Sequence, residues 1–430
     1  MKYKRIPSSL FELNRRRFAE LLKPAGMAIF NSNDIMPSNA DGKMGFRQNN
    51  DLFYLSGIDQ EESVLLLFPD APENRFREIL FLKETNENIA IWEGHKLTKE
   101  EGKEISGVSS IMWLSQLEAT LYTLAPYAEH IYLNTNEHTR AVIEVETRDM
   151  RFIRWIKEKY PLHKYERSAP LMAALRAIKS DEEIEVMAEA CRITEAGFRR
   201  VLKFVKPGVK EYEIEAEFIH EFIRSGSKGF AYEPIIASGL NSCVLHYTEN
   251  NKVCKHGDIL LLDVAAEYGN YNSDLTRAIP VNGRYTKRQR EVYDAVLRAH
   301  YFAASILTVG NNWNDYQNEV GLFVQEELIK LGLLNAEEVK NQNKDLPLYK
   351  KYFMHGTSHF LGLDVHDVGD KYRKFEAGMV FTVEPGIYIR EESLGIRIEN
   401  NFLITEKGAV DLMKTIPIEA EEIEDLMNQK

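Results

Sequence analysis

Cysteine is scarce in this chain: 430 residues contain three, Cys191, Cys243 and Cys254. Their spacing fits neither a zinc motif nor a disulfide framework, and a small odd number of thiols suits a reducing, cytoplasmic setting. Long apolar runs are missing too. No stretch reaches the ~18 uninterrupted apolar residues that a membrane-spanning helix needs. The opening MKYKRIPSSLFELNRRRF carries basic residues without the apolar core of a secretory leader, so none is expected. Nor is there an excess of positive charge. Lys and Arg number 54 against 66 Asp and Glu, a net charge of −12. Sequence-independent nucleic-acid binding depends on cations that neutralise phosphates, so neither nucleic acid nor membrane is an expected partner.

What is present describes a packed globular chain, 44% hydrophobic and 10% aromatic, and too long for one ordinary core. Residues 1–170 alternate strand-like runs, SVLLLFP at 63–69 and EILFLK at 78–83, with helical stretches such as FELNRRRFAELL at 11–22. That pattern predicts an α/β domain, and it contains no His, Asp or Glu cluster with ligand spacing. Near residue 170 the character changes. Ser180 followed by Glu183 is a capping box that starts a helix. Ile184, Met187, Cys191, Phe198 and Leu202 keep one apolar face as far as Pro207 and Gly208. The expected fold class is α+β, with an N-terminal domain over 1–170 and a second domain over 171–430.

The second domain carries an internal repeat. Its first half reads helix 180–204, a turn at Gly208, helix 211–225, then GDILLLD at 257–263. Its second half reads helix 286–308, a turn at Gly310, helix 314–332, then GMVFTVE at 378–384. In both halves a carboxylate, Asp263 or Glu384, follows six positions after a glycine. A returning strand then opens with Asp274 or Glu399, and a glycine turn, at Gly283 or Gly408, comes nine residues later. The matched order predicts duplicated αα-ββ units about a pseudo-two-fold axis, with four carboxylates meeting at its centre.

A lone strand-end Asp is more often a solvent-facing residue than a ligand. Company changes that: four converging carboxylates need compensating charge when buried. Lys and Arg are scarce in these strands apart from Arg397, so divalent metal answers the need best. His359 in HGTSHFLGLDVHD adds an imidazole. One imidazole with four carboxylates is an oxygen-rich set that suits Mn²⁺, Co²⁺, Fe²⁺ or Zn²⁺. Five ligands suit two ions ~3.5 Å apart, which lower the pKa of a shared water and polarise a carbonyl. His246, His355 and His366 flank the carboxylate strands. Taken singly, each is as readily a packed or capping histidine as a functional one. His355 and His359 are four apart, but Gly356 and Thr357 argue against a regular helix there.

Several strings, HGTSHFLGLDVHDVG, TVEPGIY, GIRIENNFLIT and DVAAEYGNYNSDLTR, together resemble the proline-specific aminopeptidases of the pita-bread metallopeptidase group. The bacterial aminopeptidase P branch is the nearest in pattern. FRQNNDLFYLSGIDQEE at 46–62 resembles that family's N-terminal domain, and EAEEIEDLM at 419–427 its C-terminal end, so the resemblance spans nearly the whole chain. It implies a C-terminal pita-bread domain and removal of the residue in front of a proline by a binuclear metal-activated hydroxide. Two divalent ions are implied, with Mn²⁺ preferred. Asp263 would serve one ion and His359 and Glu384 the other, with Asp274 and Glu399 between them. His246, His355 and His366 match the family's substrate-handling histidines, Glu384 would also shuttle the proton, and Tyr232 and Arg397 fall on matched contact positions. Trp92 in IWEGHKL resembles a tryptophan that in some relatives reaches a neighbouring subunit's site, and a homo-oligomer, dimer or tetramer, is expected. The expected partners are small peptides with proline at position 2.

One departure bears on substrate length. The connection PGIYIREESLGIRI between Glu384 and Glu399 is shorter than in many aminopeptidases P and closer to that of some prolidases. A dipeptidase must hold the proline carboxylate, for which Lys371 and Arg373 are the candidates. Xaa-Pro dipeptidase is therefore the alternative activity. A metal-free amidinohydrolase or a non-catalytic peptide-binding protein on the same fold would be expected to lack several of the five ligands.

Overall fold

A computed structural model describes residues 2–343 and 345–429. Its contacts divide the chain into two compact units, Lys4–Arg176 and Ala177–Lys430, the latter joined by Met1–Tyr3.

The N-terminal unit is built on a six-stranded mixed sheet. Its strand order is Ser110–Trp113, Glu78–Leu82, Val64–Leu67, Gly26–Asn31, His130–Leu133 and Lys164–Arg167. The central strands are apolar on both faces, as a sheet covered on both sides requires. Met27, Ile29, Val64, Leu66, Phe81 and Ile131 are buried in one core. This is the α/β character expected of 1–170.

The second unit begins on the helix Asp181–Phe204, and the Ser180–Glu183 capping box is formed at its start. Its buried stripe of Met187, Ala190, Cys191, Phe198 and Leu202 follows the apolar spacing of the sequence. This helix packs against Glu211–Arg224. The first half then supplies an antiparallel sheet in the order Thr276–Pro280, Ile259–Asp263, Ile235–Ser238. The second half repeats the plan with helices Lys287–Ile306 and Trp313–Lys330 and the sheet Val380–Val383, Asn400–Thr405, Gly408–Asp411. A short hairpin, Gly386–Ile389 with Leu394–Arg397, lies between. The glycines that start the two central strands adopt the same left-handed conformation, φ +88° at Gly257 and +90° at Gly378. A side chain is disfavoured there by backbone sterics, and at Gly378 a Cβ would also lie 2.8 Å from Ile178.

Two details differ from expectation. The returning strand of the first half starts at Thr276, two residues after Asp274. The Asp274 N–H is taken by the Asn401 side chain, so the ladder begins later. Arg397 is also not the one cation of these strands. Arg277 is fully buried in Thr276–Pro280, and it spends its donors on Pro417 O, Thr276 O, Glu399 O and Asn400. It braces the main chain rather than the carboxylates. The three cysteines are reduced and buried. No helix among the described residues is long and apolar enough to cross a membrane.

Candidate metal centre

The two sheets meet where their strands end. Asp263 closes Ile259–Asp263 and pairs with Thr276. Glu384 follows Val383, which pairs with Asn400, and Glu399 immediately precedes Asn400. A bridge between Thr276 and Glu399 joins the halves. The repeat noted in the sequence therefore delivers Asp263, Asp274, Glu384 and Glu399 to one place.

His359 joins them from the loop before the second sheet. One ligand atom each from Asp274, His359 and Glu399 lies within 4.8 Å of the others, and all three residues are buried. His359 Nε2 is 3.4 Å from Asp274 Oδ2 and 3.8 Å from Glu384 Oε1. Its Nδ1 is 2.9 Å from Phe360 O. That contact assigns a proton to Nδ1 and leaves Nε2 facing the carboxylates, so that a deprotonated Nε2 would offer its lone pair where a metal-binding imidazole needs it. Asp274 is held through its main chain, which exchanges two hydrogen bonds with the Asn401 amide at 3.0 and 2.7 Å.

Burial and mutual repulsion dominate the electrostatics of these carboxyls. Burial lifts the Glu384 carboxyl to about 7, with Asp274 and Asp263 adding to the rise against the pull of His359 and Arg397. Burial, then Asp274, Glu384 and Asp263, raises Glu399 far above the usual carboxyl range. Asp263 is raised by burial despite Arg397. Burial favours neutral His359, but the hydrogen bond to Asp274 and the Glu384 charge outweigh it and raise its pKa. Asp263 Oδ1 and Glu399 Oε1 are buried without a hydrogen-bond partner. Orphan oxygens of this kind cost free energy unless something positive occupies the space between them. Oxygen donors with one imidazole fit a hard or borderline divalent cation.

Arg397 sits at the edge of this cluster and touches three different groups. Nη2 is 2.6 Å from Asp263 Oδ2, Nη1 donates to Tyr388 OH at 2.7 Å, and Nε donates to Thr276 Oγ1 at 3.1 Å. His355 Nε2 lies 2.8 Å from Tyr388 OH, and its Nδ1 lies 2.7 Å from Gly356 O. Burial and the Arg397 charge push His355 down to about 3, so the ring is neutral and Tyr388 donates to it. His355 Nδ1 is also 3.8 Å from Glu384. The His366 ring stacks edge-on against His359 with centroids 4.3 Å apart. His246 is exposed and lies close enough to His355 to act on its electrostatics. Tyr232 is next to Asp263: burial, then Asp263, Asp274 and Glu399, raises its pKa.

Of the eleven residues that the resemblance assigns to the metal and substrate site, ten thus belong to the second unit, as do Lys371 and Arg373. The eleventh, Trp92, belongs to the N-terminal unit, where it is 88% exposed on the helix Glu87–Glu93. The sequence reading missed Thr276, Tyr388 and Asn401. Thr276 lies two residues after Asp274, and Tyr388 stands in TVEPGIY, but neither pattern announces a hydrogen bond to a residue far along the chain.

Comparison with known proteins agrees with this geometry. The profile described as Metallopeptidase family M24 matches residues 185–406, and that of Aminopeptidase P, N-terminal domain, matches 11–132. The chain is 34% identical to an Xaa-Pro aminopeptidase of Escherichia coli, covering 97% of each chain. It is 29% identical to an Xaa-Pro dipeptidase of Mus musculus, covering 98% of this chain and 94% of the other. The structure of Escherichia coli aminopeptidase P with the inhibitor Pro-Leu superposes with a TM-score of 0.87 at 33% identity, over 99% of both chains. The expected α+β architecture with its pita-bread second domain holds, and the chain belongs to metallopeptidase family M24.

Proposed function

We propose that this chain hydrolyses the peptide bond between an N-terminal residue and a following proline. The observation that carries this reading is the meeting of buried Asp274, His359 and Glu399 with half-buried Asp263 and Glu384 at the seam of two duplicated halves. These five residues would hold two divalent ions, Mn²⁺ being best suited to the oxygen-rich set and Co²⁺, Fe²⁺ or Zn²⁺ also fitting. When bound, such ions supply an activated water and polarise the scissile carbonyl.

The remaining work falls to the protein. Glu384 receives the proton from the attacking water and hands it to the departing proline nitrogen, the relay that a carboxylate placed beside the reacting atoms can perform in general acid–base catalysis. Arg397 fixes Asp263, near which the free α-amine of the substrate sits. His246 and His366, at the exposed edge, hydrogen-bond the substrate, and neutral His355 lines the proline side. Tyr232 contacts substrate beside Asp263. The amide before proline has no N–H, so selection rests on shape rather than on a donor contact.

An aminopeptidase is favoured over a dipeptidase. The two cations considered for a proline carboxylate are engaged elsewhere. Arg373 Nη2 pairs with Glu376 at 2.8 Å, and Lys371 Nζ stands 5.4 Å from the centre of the Trp313 ring. We also read exposed Trp92, next to exposed Ile91, as a surface for a second copy of the chain, in a cytoplasmic homo-oligomer. The test is hydrolysis of matched Xaa-Pro and Xaa-Pro-Yaa peptides by metal-stripped protein restored with single ions. Tripeptide cleavage with the higher kcat/KM supports the reading. A strong dipeptide preference that Arg373→Ala removes would replace it with the dipeptidase.

A further inference from the structure

Glu211 is fully buried, and its carboxylate meets neutral donors, with no lysine or arginine side chain paired to it among the described residues. Four donors surround it instead. Oε1 accepts from Ser238 N at 2.9 Å and Ser238 Oγ at 2.7 Å. Oε2 accepts from Tyr247 OH at 2.8 Å and Lys252 N at 2.9 Å. Glu211 is also the first residue of the helix Glu211–Arg224, where the helix dipole favours negative charge. Burial and this hydrogen bond lift Tyr247 to about 12, so its hydroxyl stays a donor.

These donors belong to one segment. Ser238 and Lys252 are its two ends, and Tyr247 is the buried residue that follows exposed His246. The segment's base is tied again by Glu211 N donating to Lys252 O and by the Asn250 side chain bonding Ile236 N and Pro234 O. A carboxylate accepts on both oxygens and therefore matches all four donors. A glutamine cannot. Each oxygen takes one main-chain N–H, so the amide NH₂ opposes Ser238 N–H in one orientation and Lys252 N–H in the other. Hydroxyls can rotate to accept, but main-chain donors cannot.

We propose that Glu211 is the positioning residue for His246, closing the 238–252 loop around one carboxylate so that the imidazole is presented at a fixed place beside His355. The inference rests on the proposed role of His246 in holding substrate. Displacing a contact group by ~1 Å can cost ~10²-fold in rate, so a loop that loses this anchor weakens turnover without changing any metal-holding residue.

A double-mutant cycle tests it. Wild type, Glu211→Gln, His246→Ala and the double variant, each loaded with Mn²⁺, are assayed for kcat and KM on one Xaa-Pro-Yaa tripeptide, with bound metal and thermal melting measured alongside. The expected result is a drop of roughly 10-fold or more in kcat/KM for Glu211→Gln at unchanged metal content. In the His246→Ala background the same change should cost less than about 2-fold. Equal factors in both backgrounds, or no loss in folded Glu211→Gln, would overturn the proposal. Wild-type activity of His246→Ala would remove the His246 role itself, and that arm separates the two failures. Should Glu211→Gln not fold, Tyr247→Phe removes a single donor and is expected to show a smaller loss that again vanishes beside His246→Ala. A Tyr247→Phe loss that persists there counts against the proposal.

Discussion

Thr276 and Glu399 hold each other across the seam of the two halves. Thr276 Oγ1 donates to Glu399 Oε2 at 2.7 Å, and Glu399 N donates to Thr276 O at 3.1 Å. The same hydroxyl accepts from Arg397, so its proton is committed to the carboxylate. Thr276→Val keeps the shape and removes this bond. Hydrogen-bond partners of metal ligands typically matter by ~10–100-fold in metal affinity or activity. A loss in that range, with melting close to wild type, is the expected outcome of metal titration and steady-state assay.

Arg397 addresses Asp263, Tyr388 and Thr276 with three different nitrogens. A lysine offers a single ammonium and can replace one of these contacts at a time. Arg397→Lys should therefore lower kcat by at least ~10-fold although the charge is retained. Turnover near wild type would show that charge alone suffices at this position.

A second buried pair lies beside the histidine loop. Lys179 Nζ is 3.1 Å from Asp367 Oδ2, with both side chains 1% exposed, and Asp367 follows His366. Lys179→Met removes the cation that faces the buried Asp367 carboxylate, and breaking a buried pair from one side typically costs ~3–5 kcal/mol. Chemical denaturation should show a loss of that order, and Lys179→Met with Asp367→Leu should recover much of it. A loss below about 1 kcal/mol, the range of surface pairs, would mean the pair is solvated in solution.

The carboxylate cluster gives the metal-free protein an unusual pH response. Glu384 moves from an ordinary 4.5 to about 7 on folding, so the folded state binds an extra proton in that window. Its contribution is present below pH 4.5 and is lost as pH rises to about 7; Asp263 and Glu399 act in the same direction. His300, buried and lowered to about 3, acts oppositely: its contribution is present above pH 6.5 and lost as pH falls. Added Mn²⁺ competes with protons for the carboxylates. The rise in melting temperature on adding Mn²⁺ should therefore grow between pH 5 and pH 8. A rise that shrinks over that range would contradict the cluster as the binding site.

Much of this centre could be read from the chain because duplication wrote it twice. Gly257 with Asp263 and Gly378 with Glu384 share a spacing that coincidence explains poorly, and the φ values of the two glycines show the common turn behind it. Ser180 and Glu183 announced their helix because a capping box is local. Thr276, Asn401, Tyr388 and Glu211 were silent for the opposite reason. Thr276 and Glu399 are 123 residues apart, and Asn401 and Asp274 are 127 apart. Glu211 reads as an ordinary first-turn acid until Ser238, Tyr247 and Lys252 close around it. Arg277 carries no local signal in the sequence because its acceptors are mostly main-chain oxygens brought near by folding.

On the proposed function, Asp263, Asp274, His359, Glu384 and Glu399 hold two divalent ions without which the peptide bond is not cleaved. The most direct test measures turnover of an Xaa-Pro-Yaa peptide and metal bound per chain in the same sample, through chelation and stepwise return of Mn²⁺. Turnover that disappears on chelation and returns as bound metal approaches two per chain, with Asp274→Asn and Glu399→Gln failing to recover, is the predicted result. Full turnover in exhaustively metal-free protein, or near-normal turnover by either variant, would contradict it.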